Sequence, residues 1–126
     1  MNRSSTHLSC VILADRSSVY RALIDARDVS HWMVPDGMTG HVHVFDAREG
    51  GGFRISLVYD APTSAGKSDP QTDTYHGHIV RLVPDELVVE VMEFETADAS
   101  MAGEMTVTFT LRDVEGGTRL DAVHNN

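Results

Sequence analysis

The sequence predicts an α+β domain in which a curled seven-stranded antiparallel sheet carries two short helices after its first strand. The clearest observation is the segment from Tyr75 to Glu95, which reads as two strands joined at Pro84-Asp85. Apolar alternation with a period of two and a Pro-Asp turn are typical of a β-hairpin. Strand-like segments with short links also fill the chain from Gly40 onward. Short links favour an antiparallel meander, because parallel neighbours need long crossovers.

The first third of the chain supplies one strand and both helices. The run from His7 to Ala14 alternates and predicts a strand that includes a buried Cys10. Asp15 and the serines after it offer N-cap oxygens, and apolar residues at helical spacing predict a helix over 17–24. A second helix is predicted over 26–33, ended by Pro35. A sheet this long must curl, and its apolar concave face must be covered.

Six further strands are predicted. In the first arm of the hairpin, strict alternation places Ile79 on one face and His78 and Leu82 on the other. Residues 49–52 predict a glycine-rich turn, and residues 61–72 predict a surface loop within the domain. The strands are predicted at 40–47, 53–60, the two arms of the hairpin, 104–112 and 118–124.

Composition limits the classes of function. The chain has 126 residues, 41% of them hydrophobic, which fits a single domain over 1–126 with its own core. A net charge of −9 argues against nucleic acid and an anionic membrane surface as partners, since both attract basic patches. No segment is apolar enough to span a membrane. The single cysteine cannot form an internal disulfide, which favours a cytoplasmic protein.

The residues predict no metal site, no cofactor and no catalytic residues. His41 and His43 share a face of one strand, and His76 and His78 share a face of another. With one strand between them the pairs would lie about 10 Å apart, too far for one ion. The chain has no Gly-x-Ser-x-Gly motif for a triad hydrolase. The glycines at 50–52 precede a strand, so they present no helix N-terminus to a phosphate.

Four motifs occur in an order that resembles the family of homologues of the activator of heat-shock-protein-90 ATPase. This family lies in the START-like (SRPBCC, helix-grip, Bet v 1-like) superfamily. Trp32 stands at the end of the helical opening VYRALIDARDVSHWMVPDGM. The others are DAREGGGFRI, with Phe53 one residue later than in the family pattern, the hairpin YHGHIVRLVPDELVVEVMEF, and VTFTLRDVEGGTRLDAVH.

The resemblance implies a helix-grip fold, in which the curled sheet grips a long C-terminal helix around a deep, mostly apolar cavity. Its members include ligand carriers, cyclases, hydrolases and a co-chaperone domain. The sequence stops at Asn126, directly after the last predicted strand. We therefore expect a domain truncated at its C-terminus. The alternative is a concave face covered by a partner subunit, as in a homodimer.

The function predicted from this resemblance and from the apolar strand faces is binding of a small hydrophobic or amphipathic molecule. The first alternative is a co-chaperone-like module that binds a chaperone through an acidic surface. The second is a cavity enzyme, a cyclase or hydrolase, that uses a histidine or tyrosine as acid or base. The predicted ligand-binding residues are Trp32, Met33, Phe53, Ile55, Tyr59, Tyr75, His78, Met92, Phe94, Met105, Phe109 and His124.

Overall fold

The computed structural model describes residues 5–32, 34–63 and 65–126, and it has the predicted α+β architecture. Seven strands form one antiparallel sheet in the order β1-β7-β6-β5-β4-β3-β2, and two helices follow β1. The elements are β1 Ser5–Ile12, α1 Arg16–Ile24, α2 Ala26–Trp32, β2 Met38–Phe45, β3 Gly52–Tyr59, β4 Thr72–Val83, β5 Leu87–Phe94, β6 Met105–Val114 and β7 Gly117–Asn125.

The first strand does not pair with the second. β1 pairs antiparallel with β7, with Cys10 opposite Leu120, so β1 and β2 form the two opposite edges of the sheet. The chain must cross from one edge to the other, and α1 and α2 make this crossing. The helices pack on the concave face of the sheet, where the buried residues form two clusters that both contact Leu82.

Helix α1 begins one residue earlier than predicted, because Asp15 is its N-cap. The Asp15 carboxylate accepts a hydrogen bond from the Ser18 backbone N–H at 2.7 Å, which satisfies one of the free amides at the helix start. The apolar side of α1 is buried against the sheet through Val19, Tyr20 and Leu23. The cap therefore fixes where the helix starts and which side faces the core.

Replacing this cap tests how much it stabilises the domain. We expect Asp15→Ala to lower the free energy of unfolding by about 1 kcal/mol, since the Ser18 amide would lose its acceptor. Urea denaturation followed by circular dichroism measures the change. Glu104→Ala removes the same charge from an exposed loop and should shift stability by less than about 0.5 kcal/mol. Equal effects of the two substitutions would contradict the capping role.

Two predictions about individual positions are wrong. A β-bulge between Ile79 and Arg81 shifts the register of β4, so Leu82 lies on the same face as Ile79 and packs into both core clusters. Strict alternation had placed Leu82 on the other face. Cys10 was predicted to be buried and is exposed, because β1 is an edge strand whose concave side is not covered at this position by the described residues.

None of the helices in the described part of the chain combines the length and the apolar character that crossing a membrane requires.

Candidate ligand-binding face

The concave face carries a ladder of aromatic rings across four neighbouring strands. Phe45 and Phe53 stack with ring centroids 5.9 Å apart, and Phe53 meets Tyr75 edge-on at 6.2 Å. Tyr75 in turn meets Phe94 edge-on at 6.0 Å. These distances and angles are those of favourable aromatic pairs. The half of the concave face that lies beneath α2 is therefore packed with aromatic rings that contact one another.

Most of the predicted ligand-binding residues lie on this face, in two groups. One group packs against Val29 of α2 and consists of Phe53, Ile55, Tyr75, Met92 and Phe94. Phe109 belongs to the second group, under α1, and Met105 lies opposite Met92 on the same side. Phe53, Ile55, Tyr75 and Phe109 are buried among protein side chains. A ligand role for these residues stays a prediction, and their packing role is evident.

Among the predicted residues whose side chains the structure describes, His78 is not brought into this arrangement. His78 is exposed and lies on the convex face, since its neighbours in the strand, Gly77 and Ile79, point to the concave side. Alternation in the sequence already places His78 and Tyr75 on opposite faces of the strand. The prediction of His78 as a ligand-binding residue beside Tyr75 was inconsistent with that alternation. Met33 and the side chain of Trp32 lie outside the described residues.

Tyr59 lies at the open end of the aromatic group, beside a buried acid. Its hydroxyl donates to Asp73 Oδ2 at 3.5 Å, and the same oxygen pairs with Lys67 Nζ at 3.1 Å. Lys67 Nζ also sits 4.8 Å from the centre of the Phe94 ring, a cation–π contact. This cluster attaches the loop after β3 to the sheet.

Glu90 is a buried polar residue of this face that is not among the ligand-binding residues predicted from the sequence. It occupies the concave side of β5, in phase with Val88 and Met92, and only 4% of it is exposed. Burial disfavours its charged form and raises the pKa of its carboxyl to about 7. Burial, with a smaller contribution from the charge of Glu90, also raises the pKa of Tyr75. The sequence contained a signal for this residue, because Glu90 shares the inward-facing side of the apolar run LVVEVMEF with Val88 and Met92.

His124 lies on the same transverse row of the sheet as Glu90. Val107 stands opposite both of them, Glu90 on β5 and His124 on β7. The Nε2 atom of His124 is buried and has no hydrogen-bond partner among the described residues. A buried polar atom in this condition is uncommon in folded proteins and calls for an explanation.

An apolar cleft lies on this face beneath α1. Its volume is about 320 Å³. The polar exceptions in its wall are Ser18 and Asp28 on the helices. Beyond the cleft, on the concave side of β1, Leu8 is 68% exposed. The apolar wall consists of Ile12, Ala14, Val19, Ala22, Leu23 and Leu120. Of the predicted ligand-binding residues whose side chains the structure describes, none lines this cleft.

Comparison with models of protein families shows to which family the chain belongs. The model of the family described as "Activator of Hsp90 ATPase homolog 1-like protein" matches residues 13–126. The chain belongs to this family. The resemblance predicted from four sequence motifs is therefore confirmed, and so is the curled seven-stranded sheet with two helices after its first strand. No curated protein matches the sequence.

Solved structures share the fold of this family member. Protein CV1439 from Chromobacterium violaceum is 27% identical, with a TM-score of 0.82 over 96% of this chain and 78% of its own. A protein from Rhodobacter sphaeroides is 20% identical, with a TM-score of 0.76 over 96% and 71% of the two chains. Ms6760 from Mycobacterium smegmatis is 17% identical, with a TM-score of 0.74 over 95% and 71%.

The glycine-rich family motif has a visible structural role. Gly50, with φ of 82°, turns the β2–β3 hairpin, and its N–H donates to the Ile79 carbonyl at 2.7 Å. The Ile79 N–H donates to the Gly51 carbonyl at 2.9 Å, and the Leu82 N–H donates to Glu49 Oε2 at 3.0 Å. The motif thus binds the turn to β4 at the bulge that brings Leu82 into the core.

The convex face of this family member carries the histidine pairs. Arg54 donates two hydrogen bonds to Glu95, of 2.8 and 2.9 Å, and these bonds together with His76 lower the pKa of the Glu95 carboxyl to about 2. Strand β3 separates the His41 and His43 pair from the His76 and His78 pair, as predicted. Within the described residues, no three His, Cys, Asp or Glu side chains are grouped to hold a metal ion.

Proposed function

We propose that this family member binds a small hydrophobic or amphipathic molecule on its concave face. The observation that carries the proposal is the apolar cleft of about 320 Å³ between α1 and the β1–β7 side of the sheet. This volume lies at the lower end of the range for small-molecule sites. Burial of apolar ligand surface supplies the driving force, at about 25 cal/mol per Å².

The location of the cleft also supports binding. The cleft lies on the same side of the sheet as Leu8, which is 68% exposed among the described residues. Exposed apolar surface next to a concavity is a common mark of a binding site. The packed aromatic group under α2 gives the face a rigid floor next to the cleft.

Filling the cleft tests the proposal. We expect Ala22→Phe, a substitution on the cleft side of α1, to weaken binding of decanol by about 10-fold or more, because the ring takes the ligand's place. Isothermal titration calorimetry measures the affinity, and circular dichroism checks the fold. Ala97→Phe, in an exposed loop, is the matched control and should bind decanol as the wild type does. Undiminished binding to Ala22→Phe would contradict this location.

A second candidate function is a co-chaperone-like interaction, and family membership favours it. The net charge of −9 suits an electrostatic contact with a basic surface of a chaperone. A pull-down with Hsp90 at low and at high salt tests this function. Binding at low salt that is lost at high salt, and that persists in Ala22→Phe, would support the interaction and separate it from ligand binding. The homodimer, the cavity enzyme and the cytoplasmic location stay predictions.

A further inference from the structure

The convex side of β4 and β5 carries a cluster of two histidines and two glutamates. His76 and His78 lie two positions apart on β4, so both side chains leave the same face of the strand. Glu93 stands directly opposite His76 on β5, and Glu104 lies just before β6. All four residues line one pocket of about 220 Å³. The pocket therefore gathers imidazole and carboxylate groups from three neighbouring strands.

Two of these groups already converge at the separation that a shared metal ion requires. His76 Nε2 lies 3.2 Å from Glu93 Oε1. Two ligand atoms bonded at about 2 Å to a tetrahedral zinc ion lie about 3.3 Å from each other. The nitrogen and the oxygen therefore form one edge of a tetrahedral site.

The other ring nitrogen of His76 faces a second carboxylate. His76 Nδ1 lies 3.1 Å from Glu95 Oε2, and Arg54 holds that carboxylate through hydrogen bonds of 2.8 and 2.9 Å. A neutral imidazole has a single N–H, so it donates to only one of its two carboxylates. The second contact joins two acceptors, and it is favourable only with a proton or a metal ion between them.

Donation from Nδ1 to Glu95 is the choice that suits a metal. It leaves the lone pair of His76 Nε2 directed at Glu93. A histidine that binds a metal through one ring nitrogen commonly donates the other N–H to a carboxylate, which fixes the tautomer and the ring. Glu95, fixed in turn by Arg54, occupies the position of that supporting carboxylate.

His78 and Glu104 complete the donor set by rotation about their side-chain bonds. In the structure they do not reach the point between His76 and Glu93, since no three such side chains are grouped within the described residues. Both are exposed, so their rotation meets little resistance. The Cα atoms of two residues that are two positions apart on a strand lie about 7 Å from each other, and two imidazoles span that distance at one ion.

The donor types and the local charge select the kind of ion. Two imidazoles with a carboxylate are zinc ligands, whereas Mg²⁺ and Ca²⁺ prefer oxygen ligands alone. Glu93 and Glu104 supply negative charge, and the nearby Arg54 is paired with Glu95. The net charge of −9 adds a general attraction for cations.

We propose that His76, His78 and Glu93 bind a zinc ion on the convex face. Glu104 is the fourth ligand, and Glu95 positions the His76 ring. The sequence pattern argued against a metal because the two histidine pairs lie too far apart. The sheet instead brings an acid of β5 to one of these pairs. The site is separate from the apolar cleft beneath α1, so it stands or falls independently of the proposed function.

Competition between the whole chain and a chromophoric chelator for Zn²⁺ tests the proposal. We expect one ion per chain, and we expect His76→Ala and His78→Ala each to weaken the affinity by about 100-fold. Glu95→Gln should weaken it by about 10-fold, although Glu95 does not touch the ion. His41→Ala, on β2, is the matched control and should bind zinc as the wild type does. Circular dichroism checks that each variant is folded.

Nitrogen NMR of the imidazole rings gives a readout that a purely structural role would not move. Zinc should shift the Nε2 resonance of His76 strongly and leave Nδ1 protonated. A wild type that binds no zinc at micromolar concentration would overturn the proposal and would assign a second proton to His76. Zinc binding that survives both His76→Ala and His78→Ala, or that is lost equally in His41→Ala, would also overturn it, because the ion would then lie elsewhere.

Discussion

Glu90→Gln is expected to raise the free energy of unfolding by about 3 kcal/mol more at alkaline pH than at acid pH. The pKa of the Glu90 carboxyl is about 7 in the folded chain, against an ordinary value of 4.5. Between these two values the folded state binds more protons than the unfolded state. The free energy of unfolding of the wild type therefore falls as the pH rises through this window and levels off above about 7. A glutamine of the same size carries no charge, so the variant lacks this loss.

Urea denaturation at about pH 4 and about pH 8 measures the change, as the difference between variant and wild type at each pH. Taking the difference cancels the titration of all other groups, including Glu95 with its pKa of about 2. Glu93→Gln is the matched control on the same strand. Glu93 lies on the convex side, 3.2 Å from His76, so its effect should stay below about 1 kcal/mol. The same variant–wild-type difference at both pH values would refute a buried, uncompensated carboxyl.

Gly77→Ala is expected to destabilise the domain by about 3 kcal/mol, because the added methyl group has no space. Gly77 lies between Phe53 on β3 and Met92 on β5, where the backbones of β4 and β5 approach closely. A Cβ at this position would overlap the carbonyl oxygen of Val91. Accommodating it requires a shift of main chain, not of a flexible side chain. Thermal and urea denaturation measure the loss.

Gly52→Ala is the matched control for this substitution. Gly52 lies at the start of β3, is exposed, and stands opposite His78 on β4. A Cβ there would have its nearest neighbour at 3.7 Å, an ordinary contact with the Gly77 carbonyl oxygen. We expect a change within about 0.5 kcal/mol. A similar loss for both variants would show that glycine is needed for strand flexibility and not for the close approach at Gly77.

The sequence was sufficient where local chemistry decides the structure. Alternation, β-branched residues and turn signals predicted all seven strands, and their ends lie within two residues of the predicted positions, except that β4 begins three residues before Tyr75. Asp15 and the glycines near Gly50 marked a helix start and a turn because their roles depend on neighbouring backbone atoms. The family motifs predicted the fold class for the same reason, since one motif encodes the two consecutive helices and each of the others encodes one hairpin.

Only the tertiary structure decided the composition of the candidate site. Pairing of β1 with β7 is long-range, and it places the cleft beside Leu120 rather than among the predicted aromatic residues. The bulge in β4 turns Leu82 inward, which no local pattern specifies. Glu90 was visible in the sequence as an acid in an apolar phase. Its burial and its row with His124 depend on three strands meeting in register, and a sequence pattern does not contain that information.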